Sequence, residues 1–421
     1  MIDRRQFLGL LGGVTVVGLA ACTDRRGAAS NATSPSTISS PDATTGTAGT
    51  GTPASRPSRR VLVIVQLNGG NDGLNTVIPA VGQYHDLRPT LAIPEANRVA
   101  LHGRTDLALH PSLAPFGALW TAGKLAIVES VGFPDQNHSH FVAMDQWWRA
   151  DDTRASNGWL GTYLASLPTT DPLYATALNS SAPLLLNAVN PAAVLFRPAA
   201  FAFAPAFDES LLVAMTDPLS GDPLRAAAEA ALARSVAAVG DFSKSVNGGA
   251  GTDTTQPEEQ QREGGANLAD GLATAAKLIT NNPNTRIVVV SASGFDTHAN
   301  QLATEETLLA DLATGLESFM TSIEHAGMAD DVLVVTTSEF GRRAAENGSG
   351  GTDHGTGNVA FMLGTKVVSG VHGEVDLTNL VNGDLRATTD PRTIYTACLD
   401  WLGADTAAVL GKRYDDIKLL A

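Results

Sequence analysis

Val61-Leu-Val-Ile-Val-Gln-Leu67 is an almost unbroken aliphatic run that stops at Gly69-Gly70. A run without polar alternation predicts a strand covered on both faces. Leu125 to Val131, Arg286 to Val290 and Val332 to Thr336 repeat the pattern. Between the last two, Leu308, Leu312, Leu316, Phe319, Met320 and Ile323 recur at steps of three and four, and Gly327 closes the segment. That period predicts a helix with one apolar stripe. Pro223 to Val239 and Ala266 to Ile279 predict two more helices. Strands alternating with helices and joined by right-handed crossovers predict an α/β fold, with three layers and a mostly parallel sheet covered by helices on both faces. Gly248 to Gly265 is polar and reads as a surface loop, while the proline-rich stretch from Ala182 to Phe207 carries no readable period.

The first 58 residues follow a different pattern. Arg4-Arg5-Gln6-Phe7-Leu8 resembles a twin-arginine export signal, and a mild apolar stretch from Phe7 leads to Leu19-Ala20-Ala21-Cys22, which resembles a lipobox. The apolar stretch is too short to anchor in a bilayer. Residues 1–22 therefore read as a signal whose Cys22 becomes lipidated; the competing reading is an ordinary signal with an incidental cysteine. Residues 23–58 are Ser, Thr, Ala, Gly and Pro without an apolar period, the composition of a flexible tether. Residues 59–421 read as a single folded domain. The expected location is the cell envelope, lipid-anchored or secreted, with membrane contact through the anchor only.

Composition narrows the function. The chain has 421 residues, 43% hydrophobic and 17% charged, enough to bury a sizeable core. With 28 basic and 43 acidic residues its net charge is −15, which disfavours a nucleic-acid surface. Its two cysteines, Cys22 and Cys398, exclude a disulfide framework and a Cys-based zinc site. Cys398 shares a helical face with Ile394, Leu399 and Leu402 and is expected to pack as a small hydrophobe.

In parallel sheets, ligands bind beyond the carboxyl ends of the strands. Polar clusters follow the predicted strands at Asn68 to Asn75, Asp135 to Phe141, Ser291 to His298 and Ser338 to Arg343, with Gly351 to Gly355 after the last. Asp, Glu and His suit borderline and hard divalent metals. The candidate ligands are Asp72, Asp296, His298, Glu339, Asp353 and His354. Ser139, flanked by His138 and His140, is the candidate nucleophile, and Ser139 and His140 are the catalytic candidates. Asp72 also fits a plain turn residue, and His298 and His354 also fit structural hydrogen bonding. Arg342 and Arg343 fit either an anion clamp or pairing with Glu339 or Glu346. The chain lacks a Gly-x-Ser-x-Gly elbow, a P-loop, a His-Glu-x-x-His motif and a dinucleotide fingerprint.

Gln66 to Thr76, Ser139-His-Phe141, Gly158-Trp-Leu-Gly161, Gly294 to Asn300, Ser338 to Arg342 and Gly351 to Gly355 together resemble the bacterial exported family called domain of unknown function 1501. That family is similar in architecture to the alkaline phosphatase and sulfatase superfamily. The resemblance implies an alkaline-phosphatase-like fold and a hydrolase-like protein that cleaves phosphate or sulfate esters with a divalent metal (zinc, manganese or calcium). It places Asp72 just past the first strand, Ser139 at the nucleophile, and Asp296, His298 and His354 among the ligands. It also implies that Glu339 and Phe340 replace an Asp and a His, so that one ligand is lost, and that Asp390 to Leu402 is the closing helix. The implied partner is a small anionic ester or glycan. The alternative is a surface protein that keeps the fold and only binds, or an envelope assembly partner.

Overall fold

The computed structural model describes residues 59–151, 157–180, 184–186, 192–195, 198, 223–247 and 267–421. Arg4, Arg5, Cys22, the tether and the polar stretch 248–265 lie outside them, as does most of 182–207.

Eleven strands are formed by the described residues: β1 Val61–Asn68, β2 Val77–Pro79, β3 Val99–Ala100, β4 Leu107–Leu109, β5 Leu125–Val131, β6 Ala175–Leu178, β7 Ala193–Leu195, β8 Ile287–Ser293, β9 Val332–Thr337, β10 Asn358–Leu363 and β11 Gly370–His372. Eight of them build one sheet in the order β11-β5-β10-β9-β1-β8-β6-β7, while β2, β4 and β3 form a small antiparallel sheet. Within the large sheet only β10 runs against the rest, antiparallel to β5 and β9. The central strand β1 pairs in parallel with β8 on one side and β9 on the other.

The apolar runs are buried on both faces because layers cover both. Val61, Val63, Val65 and Leu67 point into one core, with Val288, Val290, Val332 and Val334. Leu62 and Ile64 point into the other, with Ile287, Val289, Leu333 and Val335. The pleat thus divides each strand between two cores. The main helices are α1 Gly73–Thr76, α2 Ala114–Thr121, α3 His140–Arg149, α4 Trp159–Ala165, α5 Pro223–Asn247, α6 Leu268–Asn281, α7 Gln301–His325 and α8 Pro391–Leu402. Phe116 of α2, Phe242 of α5, Leu272 and Ile279 of α6 and Leu312 and Phe319 of α7 fill the first core. Trp147 of α3, Leu160 of α4 and Ile394, Cys398 and Leu399 of α8 fill the second. The result is the expected three-layer α/β architecture.

Two elements exceed the expectation. Helix α7 begins at Gln301, well before the apolar stripe, because its first buried positions are the polar Gln301 and Glu305. Helix α5 continues past Val239 to Asn247, where Phe242 is buried. Asp390 caps α8 by accepting from Arg392 N, and Gly403 ends it at φ +73°, a left-handed stop that glycine adopts without strain. No helix among the described residues is long and apolar enough to cross a membrane.

Candidate metal centre at the carboxyl edge of the sheet

The ends of β1, β5, β8 and β9 face one edge, and the chain after each turns inward there. After β8, His298 N donates to Asp296 O at 3.1 Å, a tight turn that sends both side chains to the same side. This turn lies directly on the Gly69 backbone. A Cβ at Gly69 would sit 2.3 Å from Asp296 N, and its φ of +124° already favours glycine. The loop after β9 folds back on itself, with Gly355 N donating to Gly341 O and Arg343 N to Asp353 O, and this delivers His354 to the same place. His140, from the β5 side, is the first residue of α3.

Three groups converge. Ligand atoms of His140, Asp296 and His354 all lie within 4.8 Å of one another. His298 joins them, its Nε2 2.9 Å from His354 Nε2 and 3.1 Å from Asp296 Oδ1. Asp296 Oδ1 lies 3.0 Å from His354 Nε2, and Oδ2 lies 3.5 Å from His140 Nε2.

The opposite nitrogen of each ring decides what this convergence means. His354 Nδ1 lies 2.7 Å from the carbonyl oxygen of His138, which can only accept, so the ring proton of neutral His354 is on Nδ1. His140 Nδ1 meets a Glu339 carboxylate oxygen at 2.8 Å, and His298 Nδ1 meets Asp353 Oδ1 at 3.3 Å. With their Nδ1 atoms donating outward, all three neutral imidazoles present Nε2 lone pairs inward, toward a carboxylate. Acceptors packed at 2.9–3.1 Å with no donor between them repel unless a cation or extra protons intervene. Imidazoles oriented by carboxylates or backbone carbonyls around a common point are the usual arrangement of metal ligands and their supports. Imidazole nitrogens favour zinc or manganese over calcium, which prefers an all-oxygen shell.

The electrostatics follow the geometry. Burial opposes charge on Asp296, but the hydrogen bond from the Arg342 guanidinium and its positive charge outweigh it, and its pKa falls to about 2. The hydrogen bond to Glu339 raises the His140 pKa. Burial lowers that of His354. Phe340, fully buried, lies under the His140 and His354 rings at centroid distances of 4.9 and 4.6 Å and closes the floor of the cleft. The Asp296 side chain stays 47% exposed, so the centre is open to solvent above.

The six expected ligands are thus divided. Asp296, His298 and His354 are brought together. Glu339 and Asp353 stand one bond behind, each holding a ring nitrogen. Asp72 lies apart: its Oδ1 accepts from Leu74 N and Asn75 N, capping α1, while Oδ2 pairs with Arg88 at 2.6 Å and accepts from Gln301. Every acceptor on Asp72 faces a donor, so it is the turn residue rather than a ligand. His140, assigned with Ser139 to catalysis, stands instead among the groups that converge with Asp296 and His354. Ser139 is exposed at the N-cap of α3 without a side-chain capping bond. The arginines pair differently from either expectation. Arg342 is buried and donates to the Gly69, Gly70, Phe295 and Thr352 carbonyls and to Asp296, while Arg343 faces Asp384 at 3.6 Å. Glu346 is taken by the Thr90 and Leu91 amides. The His138 carbonyl support left no trace in the sequence, because any residue supplies a carbonyl.

The family model described as "Protein of unknown function (DUF1501)" matches residues 94–417. No curated protein matches the chain. Among solved structures, the lipoteichoic acid synthase LtaP from Listeria monocytogenes is 11% identical at a TM-score of 0.38, over 86% of this chain and 76% of that one. The phosphonate monoester hydrolase from Silicibacter pomeroyi is 9% identical at 0.34, over 86% and 78%. The alkaline phosphatase from the Antarctic bacterium TAB5 is 13% identical at 0.32, over 73% and 92%. These likenesses are low in both identity and score; the chemistry of the cleft follows from its own atoms.

Proposed function

The chain belongs to the DUF1501 family of proteins of unknown function, and we propose that it is a metal-dependent hydrolase of small anionic esters, phosphate or sulfate. One observation carries this reading: inward-facing imidazole nitrogens and a carboxylate crowd one point, and each ring is fixed from behind. A divalent ion, zinc or manganese by ligand type, would be held by His140, Asp296 and His354, with His298 at the rim. Such an ion polarises an ester oxygen as a Lewis acid and makes a nucleophile available near neutral pH.

The protein's own part is positional. Glu339, Asp353 and the His138 carbonyl fix the rings, Phe340 excludes water beneath them, and Arg342 holds Asp296 ionised. Ser139, next to His140 and exposed, is the candidate nucleophile. We also assign Arg4-Arg5 to twin-arginine export and Cys22 to lipid anchoring at the cell envelope. Arg4→Lys with Arg5→Lys should leave precursor in the cytoplasm, and Cys22→Ser should abolish acyl labelling. Normal export of the double-Lys protein would reject the twin-arginine route.

The test of the centre is elemental analysis followed by assay. Dialysed protein should hold about one divalent ion, lose it in His354→Ala and keep it in Asp72→Asn. Hydrolysis of 4-nitrophenyl phosphate or sulfate should be lost on chelation, return with the ion and fall in Ser139→Ala. A metal-free chain of full stability that zinc and manganese leave unchanged would reject the centre. A loaded chain that cleaves neither ester would favour a second reading, a binding protein that uses the cleft without turnover. One observation favours that second reading: Arg342 is spent on carbonyls and Asp296 and is not free to clamp an anion.

A further inference from the structure

The opposite edge of the sheet carries a second polar cavity. Arg60 precedes β1, Arg286 precedes β8 and Tyr174 precedes β6, and these three strands are neighbours in register, with Ile287 opposite both Leu62 and Ala175. Their side chains, with Tyr163 of α4 and Leu402 of α8, line a cavity of about 250 Å³. At an end-to-end strand length of about 20 Å, it is well separated from the metal cleft.

Its charge is unusual for this chain. Arg60 donates through Nη1 to the Asp400 and Trp401 carbonyls at 3.2 Å and lies over the Trp401 ring. Among the described residues the Arg286 guanidinium donates to the Pro283 carbonyl, at 3.3 Å. Among the described residues no carboxylate lies within ion-pair distance of either guanidinium, although acidic residues outnumber basic ones 43 to 28. The nearby Asp400 carboxylate is taken by Arg413. Two guanidiniums facing one cavity without a counter-charge attract an oxyanion, which the fork of an arginine binds through paired N–H groups. The Tyr163 and Tyr174 rings and Leu402 add an apolar wall. The volume is just below the range of drug-sized pockets, which begins at ~300 Å³.

We propose that this cavity binds a phosphate- or sulfate-type oxyanion carried on a small organic group, with Arg60 and Arg286 holding the anion and the tyrosines its body. The source is either a soluble phosphorylated molecule or an anionic lipid headgroup.

Isothermal titration of inorganic phosphate into the full chain should show a site that persists in His354→Ala, which breaks the metal cleft. Arg286→Gln should weaken that site at least tenfold, Arg286→Lys should recover only the part that charge alone supplies, and metal content should not change in either. Arg60→Gln should give the same loss through the other guanidinium, so the outcome does not rest on the folding of one variant. Pelleting with phosphatidylglycerol vesicles, against phosphatidylcholine, identifies the source. A loss in Arg286→Gln confined to phosphatidylglycerol supports a headgroup; unchanged pelleting with lost phosphate binding supports a soluble ligand. Absence of phosphate binding to the unmodified chain, or binding that vanishes in His354→Ala and survives Arg286→Gln, overturns the proposal.

Discussion

Asp72 and Asp296 occupy similar places. Each follows a central parallel strand by a few residues, and each meets a buried arginine, Arg88 at 2.6 Å and Arg342 at 2.8 Å. Their surroundings differ in one respect. Asp72 faces only donors: two backbone amides, a guanidinium and the Gln301 amide. Asp296 faces one guanidinium and the ring nitrogens of His140, His298 and His354, whose protons are directed elsewhere. The first carboxylate is complete; the second has acceptors in excess. A ligand-binding carboxylate is therefore recognised by the donor count around it, not by its position after a strand.

The most severe way to break this comparison is to remove the donor from the complete side. Arg88→Ala leaves Asp72 charged and buried, and should destabilise the fold by about 3–5 kcal/mol, read by denaturant unfolding. The ion content of whatever remains folded should not change. If Arg88→Ala also empties the centre, the two carboxylates are coupled through Gln301 and Thr352 and the contrast fails.

Glu129 gives a third case, a carboxyl whose Oε1 has neither donor nor cation. Burial pushes its pKa up to about 8, against an ordinary 4.5. Between those values the folded chain holds a proton that the unfolded chain has released. The resulting stability is full below pH ~4.5 and is lost as pH rises toward ~8. Glu129→Gln should remove this slope, on the order of 4–5 kcal/mol across the window. Thermal or denaturant unfolding from pH 5 to 8 with an unaltered slope would show that Glu129 is ionised and paired.

On the incomplete side, Glu339→Gln keeps the shape but weakens the acceptor behind His140. Loss of such a support costs ~10–100-fold in metal affinity, measurable by competition with a chelator; an unchanged zinc affinity would remove Glu339 from the centre. The smallest effect provides an apolar yardstick. Cys398 is 1% exposed, and burial holds its thiol neutral. Cys398→Ala should cost ~1–2 kcal/mol and leave metal content intact, while rapid labelling of the native thiol would contradict its burial.

The same contrast explains what the sequence could reveal. β1, β5, β8 and β9 were legible because a strand buried on both faces is mostly an apolar run, interrupted here where polar residues such as Gln66, Glu129 and Ser130 are buried. The first turns of α7 were not, because Gln301 and Glu305 are buried through hydrogen bonds rather than apolar contact. Asp296, His298 and His354 were legible as polar groups beyond strand ends. Nothing local separates them from Glu339 and Asp353, since one peptide turn decides whether a carboxylate faces the cleft or the ring nitrogen behind it. His140 was seen but given another role, because it begins α3, 156 residues before Asp296 in the chain, and only the fold brings the two together.

The central strand has a consequence for when the centre comes into being. β1 lies between β8 and β9, which are more than 200 residues downstream, so the first strand of the body stays unpaired on both edges until the last third of the chain arrives. Contacts of such sequence separation form slowly. The same late event brings Asp296 and His354 to His140. The cleft is therefore assembled at the end of folding, and an ion that needs all three groups has no site before β1 closes.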